Sequence, residues 1–249
     1  MATIKLGLSS ALVVAAAMVL GCFLPPTTAQ AQSCTILPKP PDTLLKLAEC
    51  CAASVQSNPS CRAADPKEGY VILKDNSPRK PQSYLILPTA KVTGIEDPLV
   101  LSMPALDLWQ RGFAVSATYP GRPPADTALA INSAYARTQN QLHIHISCVR
   151  PDVRDKLLTT PVPAYPDKPV ALPLPPNQHV YQAVRVSGLG GPLSPFHVIQ
   201  DDPAARADMA AESIAVMGSA MANEYFVLST RRDDRNPGSA EELLDQSCN

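Results

Sequence analysis

The 249-residue sequence predicts an α+β fold. Two strand-like runs, 70–74 and 84–88, flank the turn-forming sequence Asp75-Asn76-Ser77-Pro78, as the strands of a hairpin do. Residues 141–148 alternate between apolar and polar side chains, which is typical of a strand with one buried face. Helical spacing of apolar residues in other segments completes the pattern. The length allows one sizeable domain or two small ones.

The first element is a targeting segment over residues 1–31, followed by the body of the protein, 32–249. Lys5 precedes an uncharged run, 6–24, and Ala29-Gln30-Ala31 offers small residues for cleavage. At ~1.5 Å per residue this run nearly spans a hydrocarbon core of ~30 Å, so an uncleaved anchor fits as well as a cleaved signal peptide. Cys22 and the residues before it loosely resemble a lipidation box, a third alternative. All three alternatives place the body outside the cytoplasm.

The body begins with a predicted amphipathic helix at 43–55. A predicted core over about residues 65–158 follows this helix. The core then holds the hairpin, a second helix at 104–119 with Trp109 and Phe113 on its packed face, and two strands. These strands are 127–132 and 141–148.

A proline-rich stretch, 160–178, predicts an extended surface connection to a C-terminal extension at about 175–249. The extension contains four predicted elements. They are a strand at 180–186, a helix from Pro203 capped by Asp202, a strand at 225–230, and a last helix with the capping box Ser239-x-x-Glu242.

Six cysteines follow Cys22, an even number that indicates disulfides in an oxidising compartment. Fifteen pairings are possible. We expect Cys51 to pair locally with Cys61, and Cys148 to pair with Cys248 so that the chain end is tied to its centre.

The charges exclude a general nucleic-acid binder. Lys and Arg number 21 against 22 Asp and Glu, and the pI is about 6.4. No bulk positive field exists, so any phosphate group must be bound by a local site.

Two histidines carry the most informative chemistry. In the strand 141–148, the side chains of His143, His145 and Ser147 share one face. A neutral imidazole can attack phosphorus and leave again, which splits one hard displacement into two easier ones. A structural pair and a zinc site, with His179 or His197 as the third ligand, are the alternatives.

Polar residues before this strand favour phosphate chemistry. Asn132 ends the preceding strand, and Thr138-Gln139-Asn140 leads into the histidines. The arrangement resembles the histidine-triad (HIT) superfamily of nucleotidyl hydrolases and transferases, whose signature is His-x-His-x-His. The resemblance implies an antiparallel sheet with helices packed on its other face. It also makes His145, the middle histidine, the nucleophile.

The resemblance implies roles for the neighbouring residues as well. Asn132, Gln139 and Asn140 would orient the nucleophile and hold the nucleotide's phosphate, and His143 would support the ring geometry. Asp75, in a segment similar to the family's upstream hairpin, would bind the ribose. Ser147 replaces the third histidine and would take its position near the phosphate.

Longer strings resemble bacterial CDP-diacylglycerol pyrophosphatases. They include Tyr70-Val71-Ile72-Leu73-Lys74-Asp75, residues 130–154, Ser194-Pro195-Phe196, and the ending Ser239-Ala240-Glu241-Glu242 with Cys248. This resemblance implies hydrolysis of CDP-diacylglycerol to CMP and phosphatidate without a cofactor or metal. It implies a protein at the inner membrane facing the periplasm, or periplasmic after cleavage, that acts at the membrane surface and can form a homodimer.

Positive groups must offset the charge of the diphosphate. Lys74, Arg137, Arg150 and Arg154 lie near the motif strands in sequence. Each is equally well explained as ordinary solvated surface charge.

Two other functions remain open. One is a secreted HIT-type hydrolase of soluble nucleotides. The other is an envelope protein that binds nucleotides or lipid without turnover.

Overall fold

The computed structural model describes Cys34, residues 42–102 and residues 105–249. The predicted leader, Cys22 and Pro104 lie outside these residues. A single antiparallel sheet dominates the fold, with strand order β1-β2-β3-β5-β4-β8-β9-β7-β6 and the short β10 paired to the end of β5. The strands are β1 (Cys61–Asp65), β2 (Tyr70–Lys74), β3 (Tyr84–Pro88), β4 (Thr127–Ile131), β5 (Ile144–Val149), β6 (Val170–Leu174), β7 (His179–Val186), β8 (Glu212–Gly218), β9 (Tyr225–Arg231) and β10 (Leu244–Asp245).

Among the described residues, five α-helices cover the two faces of this sheet. They are α1 (Thr43–Ala53), α2 (Leu108–Ser116), α3 (Pro151–Leu158), α4 (Pro195–Gln200) and α5 (Pro203–Ala207). On one face, α2 and α4 bury the largest apolar cluster, in which Trp109 packs against Phe196 with ring centroids 5.4 Å apart. This arrangement confirms the predicted fold class, a mixed protein with a large antiparallel sheet and a few helices. The helices lie on both faces of the sheet and not on one face only, as the resemblance implied. The arrangement also confirms the packed position of Trp109.

The opposite face of the sheet is covered at two places that leave a gap between them. Helix α1 packs on β2 and β3 through a cluster that includes Ala48, Leu73 and Leu85. Further along the sheet, α3 and the C-terminal residues cover β4, β8 and β9. The gap lies over β5 and holds the two histidines, since His145 pairs with Leu85 of β3 and Ala130 of β4.

The described residues form three disulfides: Cys34–Cys50, Cys51–Cys61 and Cys148–Cys248. The second and third are the pairs expected from the sequence. The first two attach α1 to the chain before and after it. The third joins the end of β5 to the C-terminal residues.

The structure corrects two predicted elements. The proline-rich stretch 160–178 is not wholly a connection, because β6 lies within it and forms the far edge of the sheet, where prolines cost no ladder hydrogen bond. The last predicted helix is only a short 3₁₀ turn, Ala240–Leu243. The Ser239 hydroxyl donates to Oδ1 of Asn132, 3.2 Å away, and does not cap the turn. A tertiary contact thus replaces the predicted local one.

The two strands predicted for the C-terminal extension correspond to β7 and β9, and they belong to the same sheet as the predicted core. The strand β8, which was not predicted, connects them to it, because β8 pairs with β4 on one side and with β9 on the other. Among the described residues, no helix is both long and apolar enough to span a membrane.

Candidate active site

An open cavity of about 510 Å³ occupies the gap above β5. Its walls come from α1, the turn between β2 and β3, the loop after β4, and the C-terminal 3₁₀ turn. The polar and charged residues that line it include Lys74, Asp75, Lys80, Asn132, Arg137, Gln139, His143, His145 and Glu241. Segments far apart in sequence therefore meet at one site.

The two histidines lie at the floor of this cavity. His145 is 6 % exposed and His143 is 9 % exposed, and their ring centroids are 5.1 Å apart in an edge-on arrangement. Nδ1 of His143 lies 2.7 Å from the carbonyl oxygen of Gln141, so this nitrogen carries the proton. Burial, together with the neighbouring His145, lowers the pKa of His143 to about 4. Burial also lowers the pKa of His145, so both rings are neutral at neutral pH.

A carboxylate from the C-terminal turn faces His145. Oε1 of Glu241 lies 3.2 Å from Nδ1 of His145, at ion-pair distance but without the alignment of a hydrogen bond. Lys80 and Gln246 both donate hydrogen bonds to the same carboxylate oxygen. The amide of Asn132 donates to the other oxygen at 3.2 Å.

Glu241 is ionised in this setting. Burial opposes its charge, but the positive charges of His145 and Lys80 and the hydrogen bonds outweigh burial and lower its pKa to about 2. Because His145 is itself neutral at neutral pH, Lys80 is the cation that balances Glu241 there. Lys80 also lies 3.7 Å from Oδ2 of Asp75, so one ammonium group serves two carboxylates.

The other cations of the cavity are held by the protein. Lys74 donates to the backbone oxygens of Asp75, Lys80 and Ser83, and burial lowers its pKa. This ammonium group therefore closes the turn between β2 and β3. Arg137 forms a two-pronged ion pair with Glu96, with one contact of 2.6 Å. Both cations line the cavity in fixed positions.

The polar residues predicted around the histidines have different positions. Asn132 is buried beside Glu241, and the side-chain oxygen of Gln139 accepts the Leu44 N–H of α1 at 3.2 Å. Asn140 is exposed, with its oxygen 3.4 Å from Nε of Arg137, and does not line the cavity. Asp75 lines the cavity, where its Oδ1 accepts the N–H of Ser77.

Three other predicted residues do not reach the cavity. Ser147 is fully buried, and its hydroxyl lies 3.0 Å from the Gln82 carbonyl oxygen and 2.9 Å from that of Asp245. Its hydroxyl group therefore links β5 to two neighbouring chain segments and does not face the cavity. Arg150 pairs with Asp152 just before α3, and Arg154 pairs with Asp126. Both arginines lie outside the cavity lining.

The zinc alternative needed His179 or His197 as a third ligand, and neither of these histidines lies in the cavity. His179 contacts Glu242 at 2.8 Å in a separate cavity, and His197 contacts the Gly191 carbonyl oxygen. Among the described residues, Asp75, His145 and Glu241 do bring ligand atoms within 4.8 Å of one another. The Lys80 ammonium already contacts both of these carboxylates, so it occupies the role that a cation would have there.

Sequence reasoning missed Lys80 and Glu241 as site residues. Glu241 belongs to the string Ser239-Ala240-Glu241-Glu242 that carries the resemblance, but the capping-box interpretation drew attention to Glu242. Lys80 offered no comparable signal, because a lysine in a predicted turn is ordinary solvated charge.

A buried neutral histidine pair on one face of an antiparallel sheet, beside a lysine–carboxylate cluster in an open cavity, defines an α+β protein with a polar candidate active site. The CDP-diacylglycerol pyrophosphatase family model matches residues 39–249. The chain belongs to this family, in agreement with the resemblance found in the sequence.

Solved structures of yeast Ap4A phosphorylase Apa2 are also similar. One matches with a TM-score of 0.44 and 13% identity over 71% of this chain and 62% of that chain. The complex with AMP matches with a TM-score of 0.44 and 12% identity over 77% of this chain and 69% of that chain. The chain thus spans less than two thirds of the length of the first of these structures.

Proposed function

We propose that the chain hydrolyses CDP-diacylglycerol to CMP and phosphatidate through a nucleotidyl-histidine intermediate on His145. The observation that carries this proposal is the position of His145, a neutral imidazole at the floor of an open cavity with cations on its walls. A neutral imidazole has a lone pair available for phosphorus at neutral pH. A protonated one has none.

The reaction divides into two displacements. His145 attacks the phosphorus bonded to cytidine, and phosphatidate leaves with the electron pair of the broken P–O bond. Water then attacks the same phosphorus, the P–N bond breaks, and CMP is released. Phosphatidate departs as a phosphate monoester anion, so the first step needs no proton donor.

Fixed cations support this chemistry. Lys80, Lys74 and Arg137 line the cavity, and each is held by carboxylates or backbone oxygens. Charges that are already oriented stabilise a developing negative charge without reorganisation, and they act more strongly in a water-poor site than in bulk. The cavity can therefore receive a diphosphate although the whole chain has a net charge of -1.

The test is release of CMP from CDP-diacylglycerol by the full chain with EDTA present. We expect His145→Ala to lose at least ~1,000-fold in kcat, whereas His197→Ala, outside the cavity, retains the activity of the wild type. A single-turnover reaction with substrate labelled at the cytidine phosphate should leave acid-labile label on the wild type and none on His145→Ala. Equal turnover by both histidine variants, or label on neither protein, would overturn the proposal.

A comparison with CDP-choline addresses the substrate. We expect turnover of CDP-diacylglycerol to exceed turnover of CDP-choline and dinucleoside polyphosphates. Equal rates would favour a hydrolase of soluble nucleotides. Binding without any labelled intermediate or product would favour a binding protein.

We also propose a bacterial protein that acts at the periplasmic surface of the inner membrane. The leader pattern of residues 1–31 and the three disulfides support a compartment outside the cytoplasm. Fractionation of cells that express the full chain tests this location. The homodimer stays a prediction, and light scattering of the purified protein tests it.

A further inference from the structure

We propose that Glu241 is a positioning residue for the nucleophile: it holds the proton on Nδ1 of His145, directs Nε2 at phosphorus, and stabilises the cationic ring of the intermediate. This inference rests on the proposed function and assigns a task to a residue of the C-terminal turn. The geometry that carries it is the 3.2 Å separation between Nδ1 of His145 and Oε1 of Glu241.

Nδ1 of His145 is buried and has no hydrogen-bond partner among the described residues. An unpaired buried polar atom destabilises the folded protein, and here the nearest charged acceptor is a carboxylate at ion-pair distance. Hydrogen bonds at catalytic sites are often poorly aligned without substrate and tighten when it binds. A small rotation of the ring gives Nδ1–H its acceptor, and the lone pair then lies on Nε2.

Glu241 cannot easily turn away from this position. Lys80, from the turn between β2 and β3, and Gln246, from the C-terminal residues, bind its Oε1. Asn132, after β4, donates to its Oε2, and the backbone N–H of Glu241 donates back to Oδ1 of Asn132 at 3.2 Å. Three separate segments therefore fix one carboxylate.

The charge balance of the reaction gives this carboxylate its task. When the Nε2 lone pair forms the P–N bond and phosphatidate leaves with the P–O electron pair, the ring keeps its Nδ1 proton and becomes a cation. Glu241 is ionised and stabilises that cation. When water attacks, the P–N electrons return to Nε2, the ring becomes neutral again, and one proton of the water passes to solvent. The carboxylate acts through charge and needs no proton of its own.

The test compares Glu241→Gln with Glu241→Asp and with the matched variant Glu242→Gln. The adjacent Glu242 contacts His179 and Tyr181 outside the catalytic cavity. We expect Glu241→Gln to lower kcat by about 100-fold or more with a small change in KM, because an amide cannot stabilise the cation. Glu241→Asp should recover part of the loss, and Glu242→Gln should keep most of the activity.

The pH profile of kcat/KM separates this role from a structural one. Burial and the Lys80 ammonium disfavour a charge on His145, whose ring also faces the neutral ring of His143, whereas Glu241 and Asp75 favour that charge. Removing the charge of Glu241 therefore lowers the pKa of His145 further. The acid limb of the profile should move to lower pH in Glu241→Gln, and a folding defect would not move it.

Two outcomes would overturn the inference: unchanged kcat in Glu241→Gln, or an acid limb at the wild-type pH. In either case the labelled adduct on His145 still tests the proposed function independently. Absence of the adduct in the wild type would instead show that the proposed function itself has failed.

Discussion

At the scale of single residues, the site lowers the pKa of a base and of an acid at the same time. His143 is a base whose pKa falls to about 4, and Glu241 is an acid whose pKa falls to about 2. Burial is the main cause for the histidine. For the carboxylate burial acts in the opposite direction, but the neighbouring charges and hydrogen bonds together outweigh it. Neutral imidazoles and an ionised carboxylate therefore coexist over the physiological range.

The free energy of unfolding should depend on pH accordingly. The unfolded chain binds a proton at His143 near pH 6.5, but the folded chain does so only near pH 4. Stability is thus fully present above pH 6.5 and falls as the pH decreases towards 4, by about 1.4 kcal/mol per pH unit for each such proton. A further loss follows between pH 4.5 and 2 as Glu241 is protonated.

Urea unfolding of the wild type and of His143→Gln at a series of pH values measures this effect. The variant should have a shallower slope between pH 6.5 and 4, and His197→Ala serves as the control. Parallel slopes for wild type and His143→Gln would contradict the assignment.

At the scale of elements, the position of β5 depends on how closely α2 packs beneath it. Gly112 on α2 faces β4, where an added Cβ would lie 2.4 Å from Cδ2 of Leu129 and 3.8 Å from Cδ1 of Ile146. Leu129 and Ile146 are fully buried, so neither can move into free space. The glycine therefore allows α2 to approach β4 and β5 closely.

Gly112→Ala should therefore lower the free energy of unfolding by about 1–3 kcal/mol, because overpacking outweighs the better helix propensity of alanine. The control is Ala114→Gly at an exposed position of the same helix, which should cost about 1 kcal/mol from propensity alone. Urea unfolding measures both. Stabilisation by Gly112→Ala would refute the packing argument.

At the scale of the whole molecule, the site depends on bringing the chain end to its centre. Cys148, at the end of β5, is bonded to Cys248, 100 residues later. The segment between Glu241 and this disulfide pairs with β5 through Leu244 and Asp245. The strand that carries His145 and its proposed positioning carboxylate are therefore held together covalently as well as by hydrogen bonds.

Replacing Cys148 and Cys248 together by alanine should lower the free energy of unfolding by about 2–4 kcal/mol, because a long loop regains its freedom in the unfolded chain. It should also lower kcat, since Glu241 loses part of its support. The Cys51–Cys61 disulfide closes a loop with a sequence separation of only 10 residues. Replacing both of its cysteines by alanine should therefore lower the free energy of unfolding by less. Denaturant unfolding and CMP release measure both. Equal kcat in the first pair and the wild type would contradict this coupling.

Local patterns determined much of this protein from the sequence alone. Side chains alternate along a strand, so the shared face of His143 and His145 could be predicted without any partner strand. The hairpin around Asp75 and the short-range pair Cys51–Cys61 are also local features. Where the sequence failed locally, as at Ser239 and in the stretch 160–178, a tertiary contact replaced the propensity that had been predicted.

Only the tertiary structure decided which polar residues share the cavity. Asn132 and Glu241 are 109 residues apart, and the Lys80–Glu241 ion pair joins a turn to the chain end. Closeness in sequence to the histidine strand misled for Arg150, which pairs with Asp152 outside the cavity. The physical reason is that alternation and turn propensity act within a few residues, whereas ion pairs and pKa values depend on distances that exist only once the sheet has assembled.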